Sequence, residues 1–248
     1  MSPPTTLRES LRALPPAAWI LFLGTFINRF GGFVVPFLAL YMTSQGYSLS
    51  SAGLAIGAYG VGNVFATLIG GYLADHLGRQ RTIVLSLFSG AAVMLLLSQA
   101  RGLVGIVSLS ALAGLTGEFY RPASSALLTD LVPAEGRVTA FAAYRMAINA
   151  GFAFGPATAG FLAGRGYFWL FAGDAATSAA FGFVVLLAIP RGGRSPSRAA
   201  GWGQAASAVA GDRRLHRILL ATLGIAVIFC QVGSTFGIAV LRLGFPAS

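Results

Sequence analysis

Long apolar blocks alternate with short polar interruptions along the whole chain. The blocks lie near residues 17–41, 50–74, 82–100, 103–131, 139–163, 167–190 and 217–240. At a rise of 1.5 Å per residue, about 20 apolar residues cover the hydrocarbon core of a bilayer, so each block predicts one spanning helix. The interruptions hold turn formers and charges: Thr43-Ser44-Gln45-Gly46, Asp75 to Arg81, Arg101-Gly102, Pro133 to Arg137 and Gly164-Arg165-Gly166. A stretch rich in Arg, Gly, Ser and Pro separates the sixth block from the seventh. The pattern predicts an all-α integral membrane protein in three parts. Residues 1–190 form a six-helix bundle, 191–216 a basic linker, and 217–248 a seventh helix that opens an incomplete second bundle. The linker's end, 199–216, reads either as an interfacial helix or as a flexible basic tether.

A shift of 89 residues superimposes Gly62 on Gly151, Phe65 on Phe154, Gly71 on Gly160, Leu73 on Leu162 and Ala74 on Ala163. The second span is therefore a relative of the fifth. Three spans separate them, which is the arrangement of nested, inverted three-helix repeats.

Composition agrees with the membrane assignment. The chain is 56% hydrophobic and 10% charged, against about 25% charged in soluble domains, and its mean hydropathy is +0.75. The net charge of +10 comes from 17 arginines against seven acids, with no lysine. These arginines sit in short loops, which argues against nucleic acid and for the positive-inside rule. With the amino terminus in the cytoplasm, the inside receives Arg8, Arg12, Arg79, Arg81, Arg137, Arg191, Arg194, Arg198, Arg213, Arg214 and Arg217. The outside receives only Arg101, Arg165 and Arg242. The expected location is the bacterial inner membrane, with the lipid bilayer as partner. Cys230 is the single cysteine and excludes an intramolecular disulfide framework. No cleavable signal peptide precedes the first span.

The loop between the second and third spans reads Gly71-x-x-x-Asp75-x-x-Gly78-Arg79-x-Arg81. Gly71 is expected to pack closely on a neighbour, Gly78 to turn the chain, and Asp75 to bridge arginines or cap a helix. This spacing resembles the cytoplasmic loop signature of the major facilitator superfamily. The resemblance implies a membrane transporter, normally of twelve helices in two halves. It also implies a conformational latch, for which Asp75, Arg79, Asp130 and Arg137 are the candidates, with Gly71, Gly78 and Arg81 around them. His76 stands at a position commonly basic in that family. The chain covers about half of such a fold. The missing carboxy-terminal half is expected in cis or from a partner chain, or the chain is a truncated remnant.

The fifth span carries Arg145-x-x-x-Asn149-x-Gly151-x-x-x-Gly155-Pro156-x-x-x-Gly160. Gly151 and Gly155 lie one turn apart and permit close helix approach. Pro156 frees a backbone carbonyl and bends the helix. The run is similar to the gating signature of the family's antiporter branches, although Ala159 stands where those often have a second glycine.

Ionisable groups inside spans are costly and face a cavity or a partner. Arg29 lies about twelve residues into the first span, roughly 18 Å deep. Glu118 and Arg121 share a face of the fourth span, and Arg145 and Asn149 lie in the fifth. Together they outline a midplane cavity or a static ion-pair network. Glu118 is the expected proton-responsive group, because neighbouring arginines hold it ionised while burial opposes its charge. Asp174 in the sixth span is the rival, or a cap near the outer rim. Gln231 in the seventh span either lines the cavity or bonds another helix.

The resemblance points to a secondary transporter working by alternating access. Proton-coupled efflux of small molecules is the leading expectation, and a facilitator or symporter of a metabolite the alternative. Three intramembrane arginines against two acids disfavour a dedicated exporter of organic cations. A retinal protein would need a lysine for its Schiff base. An intramembrane enzyme would need a catalytic pair or metal ligands, and the sequence offers neither. No cofactor is expected, and a proton gradient would supply the driving force.

Overall fold

The computed structural model describes residues 6–189, 207 and 210–225. All regular structure among them is helical. Ahead of the first predicted span lies a six-residue helix, α1 (Leu7–Arg12). Thr6 and Glu9 close a capping box at its start, each satisfying a backbone N–H of the other.

The first predicted span is not one helix. It divides into α2 (Pro16–Phe30) and α3 (Val34–Ser44), separated by Gly31, Gly32 and Phe33. Two adjacent glycines weaken helix propagation. Pro36, at the third position of α3, has no N–H with which to reach the carbonyl of Gly32.

The second and third spans are continuous, as α4 (Leu49–His76) and α5 (Arg79–Gln99). Between them Gly78 takes φ +94°, a conformation open to glycine. The fourth span is interrupted at Phe119, between α6 (Leu103–Glu118) and α7 (Tyr120–Leu131). The cause is the same as in the first. Pro122 cannot bond back to Glu118, four residues earlier. The fifth and sixth spans are α8 (Arg137–Ala163) and α9 (Phe168–Ala188), and Pro156 sits inside α8 without ending it.

Among the described residues, five helical stretches are long and apolar enough to cross a membrane. The first predicted span is not among them, because its two segments, α2 and α3, have 15 and 11 residues. Residues 213–225 form a further helix at the start of the predicted seventh span. Residues 226–248, with Cys230 and Gln231, and most of the linker lie outside the described residues.

The packing is that of two equivalent halves. α4 packs on α6 and α8 packs on α2, which is the second span against the fourth and the fifth against the first. α5 lies against α6 and α7, as α9 lies against α2, and α5 and α9 pack on each other. An exchange of spans 1, 2, 3 for 4, 5, 6 reproduces this pattern, as inverted repeats require. Two apolar clusters fill the bundle. One gathers Leu14, Leu21, Tyr120, Leu128 and Phe181; the other gathers Phe33, Tyr41, Met94, Leu170 and Phe171. Between them along the helices lie buried polar residues: Asn28, Glu118, Asp174 and Ser178.

Close helix approach depends on particular glycines. A methyl at Gly62 would meet the backbone of Ala111 and Leu115, and one at Gly114 the backbone of Tyr59 and Asn63. In the second half, a methyl at Gly151 would sit 2.6 Å from the Arg29 Cβ, and one at Gly155 2.9 Å from the Phe30 carbonyl. Gly71 does not have the close approach expected of it, and its repeat mate Gly160 has none either, for a methyl at either would meet nothing within 4 Å. The tight contact beside Gly71 belongs to Gly70, against Phe119 and Pro122.

These sites should respond to alanine with opposite signs. Gly71→Ala gains helix propensity of up to about 1 kcal/mol with no clash and should raise the melting temperature of the detergent-solubilised protein. Gly62→Ala forces backbone apart, at a cost of about 1–3 kcal/mol, and should lower it.

Candidate functional site

The break in each divided span leaves backbone groups without helical partners, and inside a membrane these must be satisfied by protein. At Phe119 the repair comes from α5. The Tyr120 N–H would normally reach the Thr116 carbonyl. Instead it donates to Ser86 Oγ at 3.0 Å, and Ser86 donates onward to the Thr116 carbonyl at 2.6 Å. At Gly31–Phe33 the Phe33 N–H turns to the Gly31 carbonyl at 2.7 Å, and the Asp174 carboxylate of α9 lies near the N–H groups of Val34 and Phe33. Asp174 is buried inside the bundle rather than placed at its rim. Ser86 and Asp174 lie on the third and sixth spans, each beside the break in a divided span of the other repeat.

Next to these breaks is the charged centre. Arg29 closes the last turn of α2 and Glu118 closes α6. Arg29 Nη1 donates to Glu118 Oε1 at 3.0 Å and Nη2 to Oε2 at 2.9 Å, a bidentate pair. Their side chains are 12% and 8% exposed. The Tyr59 hydroxyl donates to Glu118 Oε1 at 3.1 Å, and Arg121 Nη1 approaches Oε2 at 3.5 Å. The Arg29 guanidinium carbon also lies 5.6 Å from the ring centre of Tyr120 and 5.5 Å from that of Phe152, which suits a weakly hydrated planar cation. Behind it, the Tyr120 hydroxyl donates to Asn28 Oδ1 at 2.8 Å, and Asn28 Nδ2 donates to Ser178 Oγ at 3.0 Å.

Arg29 and Glu118 are themselves 89 residues apart. They are repeat mates under the offset that relates Gly62 to Gly151, so the ion pair joins corresponding points of the two halves.

The pair borders two cavities. One, of about 260 Å³, is lined among others by Tyr59, Asn63, Glu118, Asp174 and Ser178. The other, of about 280 Å³, is lined by Arg121, Ser125, Tyr144, Arg145 and Ile148, with Phe141 and Tyr120. Arg29 and Arg121 face both. Glu118 and Asp174, expected from sequence as rival carriers, therefore share one cavity. Arg145 lines the second. Asn149 lines neither and lies on the exposed face of α8, so the predicted depth match does not bring it to the centre. Depth along a helix is set by residue number, but facing is set by a 100° step per residue. Asn28 was legible only as a neighbour of Arg29, and Tyr59 and Asn63 carried no signal beyond being polar residues in an apolar span.

At the end of the bundle bearing the α4–α5 turn, Arg79 is the hub of the latch residues. It reaches Asp75 Oδ1 at 2.6 Å and Asp130 Oδ2 at 3.3 Å, and donates to the Ala74 carbonyl at 2.9 Å. Arg137 does not join this ion-pair cluster. Its guanidinium donates to the carbonyls of Thr129 and Val132, satisfying the end of α7. Arg81 is exposed and stands apart, lining a groove with Val84, Phe88 and Leu186. The sequence reading missed Gln80, whose buried amide donates to the carbonyls of Val185, Leu186 and Ile189 and so caps α9. His76 stacks on Tyr72 with ring centres 3.9 Å apart.

Inverted three-helix repeats around a buried charged centre are the architecture of one bundle of a multi-pass membrane protein of the transporter type. The sequence profile of the Major Facilitator Superfamily matches residues 21–247, and the chain belongs to that family. An uncharacterized MFS-type transporter of Bacillus subtilis, YqjV, is 36% identical over 143 residues, which is 57% of this chain and 35% of the relative. A Na(+), Li(+), K(+)/H(+) antiporter of Planococcus maritimus is 31% identical over 137 residues, 53% of this chain and 32% of that one. The quinolone resistance protein NorA of Staphylococcus aureus is 25% identical over 146 residues, 58% of this chain and 38% of that one. The matched stretch is thus about a third of each relative's length. The fold is similar to that of the peptide transporter POT crystallised with sulfate: TM-score 0.64 at 19% identity, over 92% of this chain and 50% of that one.

The ion pair should be worth more broken than absent. Arg29→Met alone leaves Glu118 buried without its main partner and should destabilise the protein by about 3–5 kcal/mol. Combining it with Glu118→Met should recover most of that loss. The check is a double-mutant comparison of melting temperatures in detergent.

Proposed function

We propose that this chain works in a proton-coupled secondary transporter that exports small molecules by alternating access. The observation carrying the reading is the buried pair of Arg29 and Glu118 joining the two repeats, with Asp174 in the same cavity. A carboxylate held by a guanidinium, a second guanidinium and a phenol can exchange a proton for those contacts when the cavity opens to water. Asp174 lies beside the break in the first span, so its protonation would weaken the attraction between its carboxylate and the nearby N–H groups of Val34 and Phe33 and loosen α3. Charge at either acid is thereby tied to helix position, as coupling between proton and substrate requires.

In this reading Arg79, Asp75 and Asp130 form a latch at the cytoplasmic end that stabilises the outward-open state. Gly151 and Gly155 let α8 slide on α2 during the exchange. The remaining half of the transport path comes from further residues in cis or from a partner chain. The amino terminus lies in the cytoplasm of a bacterial inner membrane, the proton gradient is the driving force, and no cofactor takes part. The similarity to an antiporter and to a quinolone resistance protein supports exchange against protons.

Transport in inverted membrane vesicles tests this. An energised vesicle containing the protein should show a ΔpH collapse on adding an exported compound. Glu118→Gln should abolish proton-driven flux and its dependence on pH while leaving counterflow without a gradient. Flux that keeps the wild-type pH profile in both Glu118→Gln and Asp174→Asn would overturn the proposal. A collapse elicited by Na⁺ or K⁺ but by no organic compound would move the substrate to inorganic cations. Orientation is checked in a Cys230→Ser background. Arg81→Cys should react with a membrane-impermeant maleimide only from the cytoplasmic side, and Arg101→Cys only from the outside.

A further inference from the structure

The cavity between α2, α7 and α8 has a charge balance that the ion pair does not explain. Its wall carries three guanidiniums, those of Arg29, Arg121 and Arg145, and no carboxylate lines it. Glu118 lies behind Arg29 and is engaged there by both of its oxygens. Arg121 shares the same carboxylate at 3.5 Å. Among the described residues, Arg145 has no carboxylate within ion-pair reach. The three arginines with Glu118 therefore leave two positive charges around one cavity. The cavity also borders the first turn of α7, whose helix dipole adds positive potential. Hydroxyl groups line it at Ser125 and Tyr144, and the remaining wall is apolar, from Phe141, Ile148 and the Tyr120 ring.

We propose that this cavity is a binding site for the oxyanion of an organic acid, a carboxylate or phosphonate attached to an aromatic or branched apolar body. Arg121 and Arg145 present planar forks that match a carboxylate or phosphonate oxygen pair. The Tyr144 and Ser125 hydroxyls lie within the same wall to complete its hydrogen bonds. Phe141, Ile148 and the Tyr120 ring receive the apolar body. At about 280 Å³ the cavity takes a single ring with its acid group. The neighbouring cavity sets Glu118 and Asp174 against the same Arg29 and Arg121, so its charges balance and the surplus of positive charge belongs to this cavity alone. This rests on the transport reading only in identifying the ligand as a transported substrate; the binding claim concerns the cavity.

The test is calorimetric titration of the intact protein, purified from its membrane in detergent at low salt, with phenylphosphonate, benzyl alcohol and benzylammonium. Phenylphosphonate should bind at least tenfold more tightly than benzyl alcohol. Arg145→Gln should weaken it by about tenfold or more, the equivalent of a charged hydrogen bond, without changing benzyl alcohol. Arg145→Lys keeps the charge but loses the fork, and should fall between the two. It also carries the test where Arg145→Gln fails to fold, as judged by its melting curve. Equal affinity for phenylphosphonate and benzyl alcohol, or unchanged phenylphosphonate binding in the Arg145 variants, would overturn the site. Proton-driven flux measured in parallel separates the two proposals. Arginine-dependent anion binding without any flux leaves the site standing and removes the efflux reading. Flux without anion preference does the reverse.

Discussion

The bidentate contact between Arg29 and Glu118 is the interaction on which the rest of this bundle depends. Each residue ends the first segment of a divided span, and each is the other's counterpart in the repeat. A guanidinium or a carboxylate alone in the interior would carry a solvation penalty of several kcal/mol. Placing one on each repeat satisfies both charges with a contact that neither half can make by itself. The pair thus fixes the first span against the fourth, and with them the second and fifth, which pack on these through Gly62, Gly114, Gly151 and Gly155.

The breaks beside the pair follow from the same constraint. A helix that ends within the membrane exposes backbone donors and acceptors, and the bilayer core has no water to satisfy them. Here Ser86 bridges Tyr120 N–H to the Thr116 carbonyl, and the Asp174 carboxylate lies near the N–H groups of Val34 and Phe33. Both side chains come from a different helix, so they stay beside the breaks only while α5 and α9 keep their positions. Segments that pivot at such points have two ways of meeting their hydrogen bonds, one intrahelical and one not. That gives the bundle discrete states in place of continuous bending.

Charge is used differently at the bundle's end. Asp75 and Asp130 are 41% and 46% exposed, and their bonds to Arg79 are screened by solvent. Exposed pairs of this kind are worth about 0–1 kcal/mol. Such a cluster can be made and broken during a conformational cycle at little cost, whereas the buried pair cannot be parted without replacing its partners. Gln80 and Arg137 nearby act on carbonyls at helix ends, not on charges. They hold the ends of α9 and α7 in place around the cluster.

Apolar block length predicted the described spans, the 89-residue offset predicted their inverted pairing, and the family resemblance implied the contacts of Asp75, Arg79 and Asp130. The first two follow from one-dimensional quantities: the residues needed to cross a bilayer, and a repeat along the chain. The two divided spans were also written in the chain, in Gly31-Gly32 with Pro36 and in Pro122, but the apolar runs across them read as continuous. The 89-residue offset already connected Arg29 to Glu118, and only their contact gave that offset a meaning. Only the tertiary structure decided which polar residues meet. Asn149 shares the depth of the centre yet faces away from it, while Tyr59 reaches Glu118 from another helix. Arg145 opens onto a second cavity, and Asp174 lies beside the start of a helix 140 residues earlier in the chain. The physical reason is that depth accumulates along one helix, whereas facing depends on how several helices rotate and pack, and that is settled by glycine contacts distributed over all of them.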